Sequence, residues 1–127
     1  MRALLVTHGD LGEELIASAR YIYAVDAPLD FLSNRDKDAR QLQSAIEEWL
    51  GLREGPVLVL VDVGGGSCGI AAQLAVGSRP GSWVIGGVNL PMVLTYLSSH
   101  AQLDPEELVS KMLDRALNAV RLLGDES

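Results

Sequence analysis

Residues 62–72 read DVGGGSCGIAA and follow directly on the apolar run PVLVLV at 56–61. Three motifs can be laid on these glycines. Gly64, Gly66 and Gly69 match the Gly-x-Gly-x-x-Gly dinucleotide fingerprint, and the turn leaves a strand-like run and enters a helix-like one. The acid that this fingerprint needs about 20 residues further on is absent; that region reads WVIGGVNLP. Gly65, Ser67 and Gly69 match the Gly-x-Ser-x-Gly nucleophile elbow, which would make Ser67 a hydrolase nucleophile. Against it, the order here is His8, Asp62, Ser67, whereas hydrolases of that fold run Ser, Asp or Glu, His. The third motif is an anion cradle. Successive glycines leading into a helix N-terminus let backbone N–H groups converge on one point, and Ser67 adds a hydroxyl donor. No Gly-Lys-Ser or Gly-Lys-Thr is present, so the turn is not a P-loop. Its size suits one phosphoryl group. A turn that merely needs glycine has the same spacing.

His8, in THGD after the run ALLV, supplies the reactive partner for such a cradle. An ordinary imidazole is mostly uncharged at neutral pH. With Asp62 accepting the proton of one ring nitrogen, the other keeps a lone pair aimed outward, able to attack phosphorus. A phosphorylated imidazole retains high transfer potential through its P–N bond, which suits a relay better than phosphoserine. A solvated loop histidine is the plainer alternative. Cys68 falls in the predicted helix start, where it packs or serves as an alternative nucleophile. His100 is expected to face solvent, and Trp49 and Trp83 to fill core or interface positions. Asn89 is expected to cap a helix, with GGVN beyond the fourth strand a second candidate lining of the site. One cysteine and two distant histidines show no metal-ligand spacing, so neither metal nor cofactor is expected.

The elements that must position these residues alternate regularly. Ala3–Val6 is a strand. Leu11–Ala24 follows as an amphipathic helix with Leu11, Leu15, Ile16, Ala19 and Ile22 on one face, and Asp10 and Glu13 as a capping-box variant. Leu29–Ser33 is a weak second strand. A helix over Asp38–Leu50 carries an inner stripe of Ala39, Leu42, Ile46 and Trp49, and Gly51 stops it. Pro56–Val61 is apolar on both faces, as a strand between two helix layers must be. Helices are predicted over Ser67–Val76, from Asn89 to Ser98 or Ser99, and from Asp104-Pro105 to about Leu123, with a fourth strand at Trp83–Ile85. The tail GDES is short and frayed. The implied fold class is α/β: a small doubly wound, mainly parallel four-strand sheet, order 2-1-3-4, helices on both faces. The strand order then reverses between strands one and three. Ligands bind at such a reversal, beyond the carboxyl ends of the strands, and there His8 and Asp62 end neighbouring strands about 4.8 Å apart.

Bulk composition narrows the classes of function. The chain has 127 residues, the size of one domain, and 48% are hydrophobic, enough for a true core. Seventeen acidic residues against 10 basic ones give a net charge of -7, which disfavours general nucleic-acid or anionic-lipid binding. The single cysteine excludes an intramolecular disulfide and suits a reducing compartment. The apolar start of the chain is too short for a signal peptide, and no run reaches the ~18 apolar residues of a membrane span. The expectation is one cytoplasmic domain over residues 1–127.

Three collinear stretches carry a resemblance: LLVTHGDLGEEL at 4–15, VLVLVDVGGGS at 57–67 and VIGGVNLPMVL at 84–94. The chain resembles the IIA component of the mannose family of the bacterial sugar phosphotransferase system. The resemblance implies that His8 takes a phosphoryl group from phosphorylated HPr and passes it to a IIB-type partner. It further implies that Asp62 orients His8, that Gly65, Gly66 and Ser67 lie at the phosphoryl site, and that the protein is a homodimer. The family usually continues Gly-Gly-Ser-Pro-aromatic-Asn, often with an aromatic before the glycines. Here Gly64 stands for that aromatic, Cys68 for the proline, Gly69 for the next aromatic and Ile70 for the asparagine. The departure bears on the docking surface, and so on transport against a regulatory relay. A non-catalytic docking module of the same fold and a serine hydrolase using Ser67 are the alternatives.

Overall fold

The computed structural model describes residues 1–124, so the expected frayed tail lies outside the described residues from Asp125 onward. In chain order the elements are β1 (Arg2–Thr7), α1 (Leu11–Ile22), β2 (Leu29–Ser33), α2 (Ala39–Gly51), β3 (Val57–Val61), α3 (Ser67–Val76), β4 (Trp83–Gly86), α4 (Leu90–Ser99) and α5 (Pro105–Asn118). The strands form one sheet in the order β2-β1-β3-β4, every ladder parallel. The doubly wound α/β arrangement expected from the sequence is the one observed.

Alternation along the strands builds two cores. Ala3 and Leu5 of β1, with Leu58 and Leu60 of β3, face the layer that holds Ile16, Ala19, Val93, Tyr96, Leu108 and Met112. Leu4 and Val6, with Val57, Val59 and Val61, face Leu42, Ile46, Leu50, Cys68 and Ala72. All five residues of β3 are fully buried, which explains its unbroken apolar run. Each such aliphatic side chain contributes about 1.5–3 kcal/mol on burial. The central pair β1–β3 is thereby the most deeply buried part of the sheet, and the reversal of strand order lies between them.

Several local expectations are corrected. Asp38 caps α2 and forms a full capping box with Gln41, but the buried stripe of α2 is Leu42, Ile46 and Leu50, with Ala39 exposed. At α1, Asp10 makes no side-chain cap. Its carboxylate turns toward Arg35 (3.7 Å), and the Gly12 N–H is taken by the buried Thr7 hydroxyl instead (2.8 Å). Helix α1 ends at Ile22, two residues early. Helix α5 stops at Asn118, not near Leu123. Leu117, Val120, Leu122 and Leu123 are all more than 70% exposed, so further turns would have no core to bury. The Asn118 amide satisfies the Asp114 carbonyl at this last turn. His100 is half-buried rather than solvent-facing: its ring stacks on Tyr96 at 5.3 Å.

Candidate functional site

Parallel register pairs Val6 with Val61 at the carboxyl ends of β1 and β3. The next residues leave the sheet side by side, and this brings His8 and Asp62 together. The Asp62 carboxylate oxygen Oδ2 accepts the His8 main-chain N–H at 2.9 Å and lies 2.9 Å from the ring Nδ1. Its other oxygen accepts the Val63 N–H at 3.0 Å. Burial by itself raises the Asp62 carboxyl, but the hydrogen bonds from the His8 main chain, the His8 ring and the Val63 N–H outweigh it, holding the group below the usual carboxylate range. A carboxylate only accepts, so the Nδ1 contact assigns the ring proton to Nδ1. Nε2 then carries the lone pair. It lies 3.3 Å from the Ser67 hydroxyl, on a side chain that is 48% exposed.

Two loops hold the ring in place. Gly9 follows His8 with φ +59°, a left-handed conformation that favours glycine. Its N–H is accepted by the Asn34 side chain, and the Asn34 N–H bonds the Thr7 carbonyl, so the turn after β1 is tied to the turn after β2. Below the ring, Val63–Gly66 is a closed turn, with the Gly66 N–H bonded to the Val63 carbonyl. Gly66 thus offers the site a bare α-carbon rather than a free donor: a side chain there would touch His8 Cε1 at 3.4 Å. The N–H groups of Ser67, Cys68 and Gly69 open the first turn of α3 and have no acceptor within the helix. Gly65 stands in open space.

The tightest glycine contacts were not evident from motif spacing. A Cβ on Gly69 would meet the Gly64 carbonyl oxygen at 2.1 Å, and one on Gly86 would meet Gly64 Cα at 2.9 Å. Gly86 of WVIGG therefore serves to let the Gly64 turn lie against β4, while Gly87 meets nothing and is held by its φ of +78°. Asn89 caps α4 through the Met92 N–H and donates to the Ala116 carbonyl, so it braces α5. Trp49 donates to Asp30 at the edge of the core. Residue type and spacing do not reveal Thr7 and Asn34 as supports. The signal available was only that both flank a predicted strand end.

Cys68 is brought into the site by α3. Its sulfur lies 3.8 Å from His8 Nδ1. Burial first, and the Asp62 carboxylate second, push the thiol up to about 11, so it holds its proton at neutral pH and is a poor nucleophile. Sequence spacing showed no metal-ligand pattern, yet the fold places ligand atoms of His8, Asp62 and Cys68 within 4.8 Å of one another. Beside the site, a groove of about 310 Å³ between α2 and α3 is lined by Arg40, Gln43, Ser67, Ile70 and Leu74. Among the described residues no helix is long and apolar enough to cross a membrane.

Known proteins share this fold. The family EIIA-man, described as PTS system fructose IIA component, matches residues 2–113. The mannose/sorbose-specific IIA subunit of the phosphotransferase system from Enterococcus faecalis is 25% identical, with a TM-score of 0.82 over 99% of this chain and 96% of that one. Phosphotransferase system component EIIA from Streptococcus agalactiae is 17% identical, with a TM-score of 0.86 over 95% of each chain. The PTS IIA protein associated with the fucose utilization operon of Streptococcus pneumoniae is 19% identical, with a TM-score of 0.79 over 96% and 92%. The last two bear on the fold alone. No curated protein matches the chain in sequence.

Proposed function

The chain belongs to the EIIA-man family of phosphotransferase-system IIA components, and from that premise we propose that it relays a phosphoryl group through His8. The donor is phosphorylated HPr and the acceptor a histidine of a IIB-type protein, in sugar transport or in a regulatory phosphotransferase system. The protein acts as a single domain over residues 1–127, in the cytoplasm, as a homodimer. The observation that carries this reading is the orientation of one ring: Nδ1 against Asp62 and Nε2 toward Ser67 and solvent.

In the proposed step the Nε2 lone pair attacks the phosphorus of the donor phosphohistidine. A new P–N bond forms as the donor's P–N bond breaks, and its electron pair returns to the donor imidazole. Positive charge that builds on the His8 ring is stabilised through Nδ1–H by the Asp62 carboxylate. The oxygens of the transferred group meet the free N–H groups of α3's first turn and the Ser67 hydroxyl, Gly65 and Gly66 leave room for them by carrying no side chain, and the helix dipole favours their charge. Such a transfer depends on positioning and charge stabilisation more than on covalent help. The groove between α2 and α3 opens from Ser67 and gives a partner protein a surface continuous with the site.

Incubation with phosphoenolpyruvate, enzyme I and a cognate HPr tests the reading. A single acid-labile, base-stable phosphoryl adduct is expected, and His8→Ala must abolish it. Normal labelling of His8→Ala rejects the assignment, and absence of any adduct favours a docking module of the same fold. One observation supports a second reading. Ser67 Oγ, His8 and Asp62 form a hydroxyl–imidazole–carboxylate chain at 3.3 and 2.9 Å, the order of a serine hydrolase. Covalent capture of Ser67 by a fluorophosphonate probe would favour it over the relay.

A further inference from the structure

We propose that His8, Asp62 and Cys68 form a binding site for a thiophilic divalent cation, zinc by its chemistry, and that the bound cation holds the relay shut. The three donors differ in type and come from three separate segments: the end of β1, the end of β3 and the first turn of α3. Their ligand atoms lie within 4.8 Å of one another, with Nδ1 to Oδ2 at 2.9 Å and Nδ1 to Sγ at 3.8 Å. Tetrahedral zinc with its usual bond lengths separates a nitrogen and an oxygen ligand by ~3.4 Å, and a nitrogen and a sulfur ligand by ~3.6 Å. The ring of His8 therefore moves about half an ångström from Asp62 to admit the ion, and the carboxylate and the sulfur, within 4.8 Å, settle at the ~3.6 Å that tetrahedral zinc sets. It is half exposed and flanked by a glycine, which leaves it room to move. Sulfur with imidazole and one carboxylate selects zinc over magnesium or calcium, which want oxygen alone. Three protein ligands leave a fourth position for water.

Charge and outer contacts also fit. A thiolate, a carboxylate and a dication sum to zero, so the buried sulfur is not left as an isolated charge. Binding releases the thiol proton to solvent, and the ring proton passes from Nδ1 to Nε2. There Nε2–H faces the Ser67 hydroxyl, and Asp62 keeps the Val63 N–H on its second oxygen. Both are the outer partners that metal-bound imidazole and carboxylate require. The consequence for the relay rests on the function proposed above: a metal on Nδ1 removes the lone pair from Nε2, so phosphorus has no nucleophile to meet.

Cobalt(II) titration of the metal-free protein reads the site without reference to activity. Cys68 is the chain's only cysteine, so a thiolate-to-cobalt band in the near ultraviolet can arise from no other residue. The expected result is that band at one cobalt per chain, bleached by zinc and missing in Cys68→Ala. Zinc affinity, measured by competition with a chromogenic chelator, should fall about 100-fold or more in that variant. Circular dichroism checks its fold, and the titration of the unaltered protein needs no variant at all. No band, or equal zinc affinity in both proteins, overturns the site. Purified phospho-HPr, freed of enzyme I, then tests the gate: zinc should stop labelling of His8 and a chelator restore it. Labelling that zinc leaves unchanged while the cobalt band is present overturns the gate. A metal-free protein that takes no label overturns the relay and leaves the site standing.

Discussion

Replacing Asp62 by asparagine perturbs the site at the atom that organises it. The carboxylate accepts three N–H groups, two of them from His8, at 2.9 to 3.0 Å. Its side chain is only 8% exposed, so solvent screens these contacts little. A hydrogen bond to a charged group is worth about 1.5–3 kcal/mol net. Asparagine keeps one acceptor oxygen and puts an NH2 in place of the other. With the oxygen toward His8, the ring bond survives as a neutral one and the NH2 opposes the Val63 N–H. With the amide turned, the NH2 faces Nδ1 and drives the ring proton to Nε2. A loss of about 2 kcal/mol at the reacting ring corresponds to roughly a 30-fold slower transfer. Initial rates of acid-labile label transfer from phospho-HPr measure it, and ring nitrogen shifts report the tautomer. A wild-type rate together with an unchanged Nδ1–H tautomer would refute the role given to Asp62. The same variant tests linkage. A depressed folded-state carboxyl contributes stability that is present above its unfolded value, near ~3.9, and is lost as pH falls through the folded value. Urea denaturation should therefore show the unaltered protein losing more stability than Asp62→Asn between neutral pH and the acid limit.

Other outcomes follow from the same geometry. Gly69→Ala forces a methyl into the Gly64 carbonyl and should cost about 1–3 kcal/mol in urea unfolding. Gly65→Ala meets open space and should stay within about 0.5 kcal/mol; equal losses would show that the turn is not packed as described. Ser67→Ala removes one hydroxyl donor and leaves the backbone donors of α3, so labelling should slow by less than in Asp62→Asn; a deeper loss would make the hydroxyl indispensable. Cys68 of the folded, metal-free protein should react with a thiol reagent at pH 8 about 100-fold more slowly than in urea, as its raised thiol and burial require. Comparable rates would place the sulfur outside the site.

The sheet was legible because periodicity reports burial directly. VLVLV is apolar on both faces only where helices cover both faces, and α3 begins at Ser67 where the glycine run ends. The side-by-side placement of His8 and Asp62 followed from strand order alone, since both residues end central strands. What failed depended on choices that residue type does not fix. Asp10 looked like a cap, but the Thr7 hydroxyl reached the same turn first. The last helix was expected to about Leu123, yet a helix extends only where something lies against it, and Leu117, Val120, Leu122 and Leu123 are exposed. The approach of Cys68 to His8 depends on which way α3 rolls over the sheet, and the glycines on either side of that cysteine carry no periodic signal. Gly69 and Gly86 read as parts of motifs, and their real constraint is a close approach to the Gly64 backbone, which for Gly86 comes from a different segment of the chain and so has no local signal.

One oxygen of Asp62 takes both the main chain and the ring of His8. Beyond the last rung of the β1–β3 ladder, that carboxylate stands in for the strand neighbour that the sheet no longer provides. Architecture and reactivity thus share a single anchor. Whatever neutralises it, whether a proton or a substitution, weakens the closure at the end of the central strands together with the hold on the nucleophile. Nature has little freedom to retune the chemistry here without also reworking the scaffold beneath it.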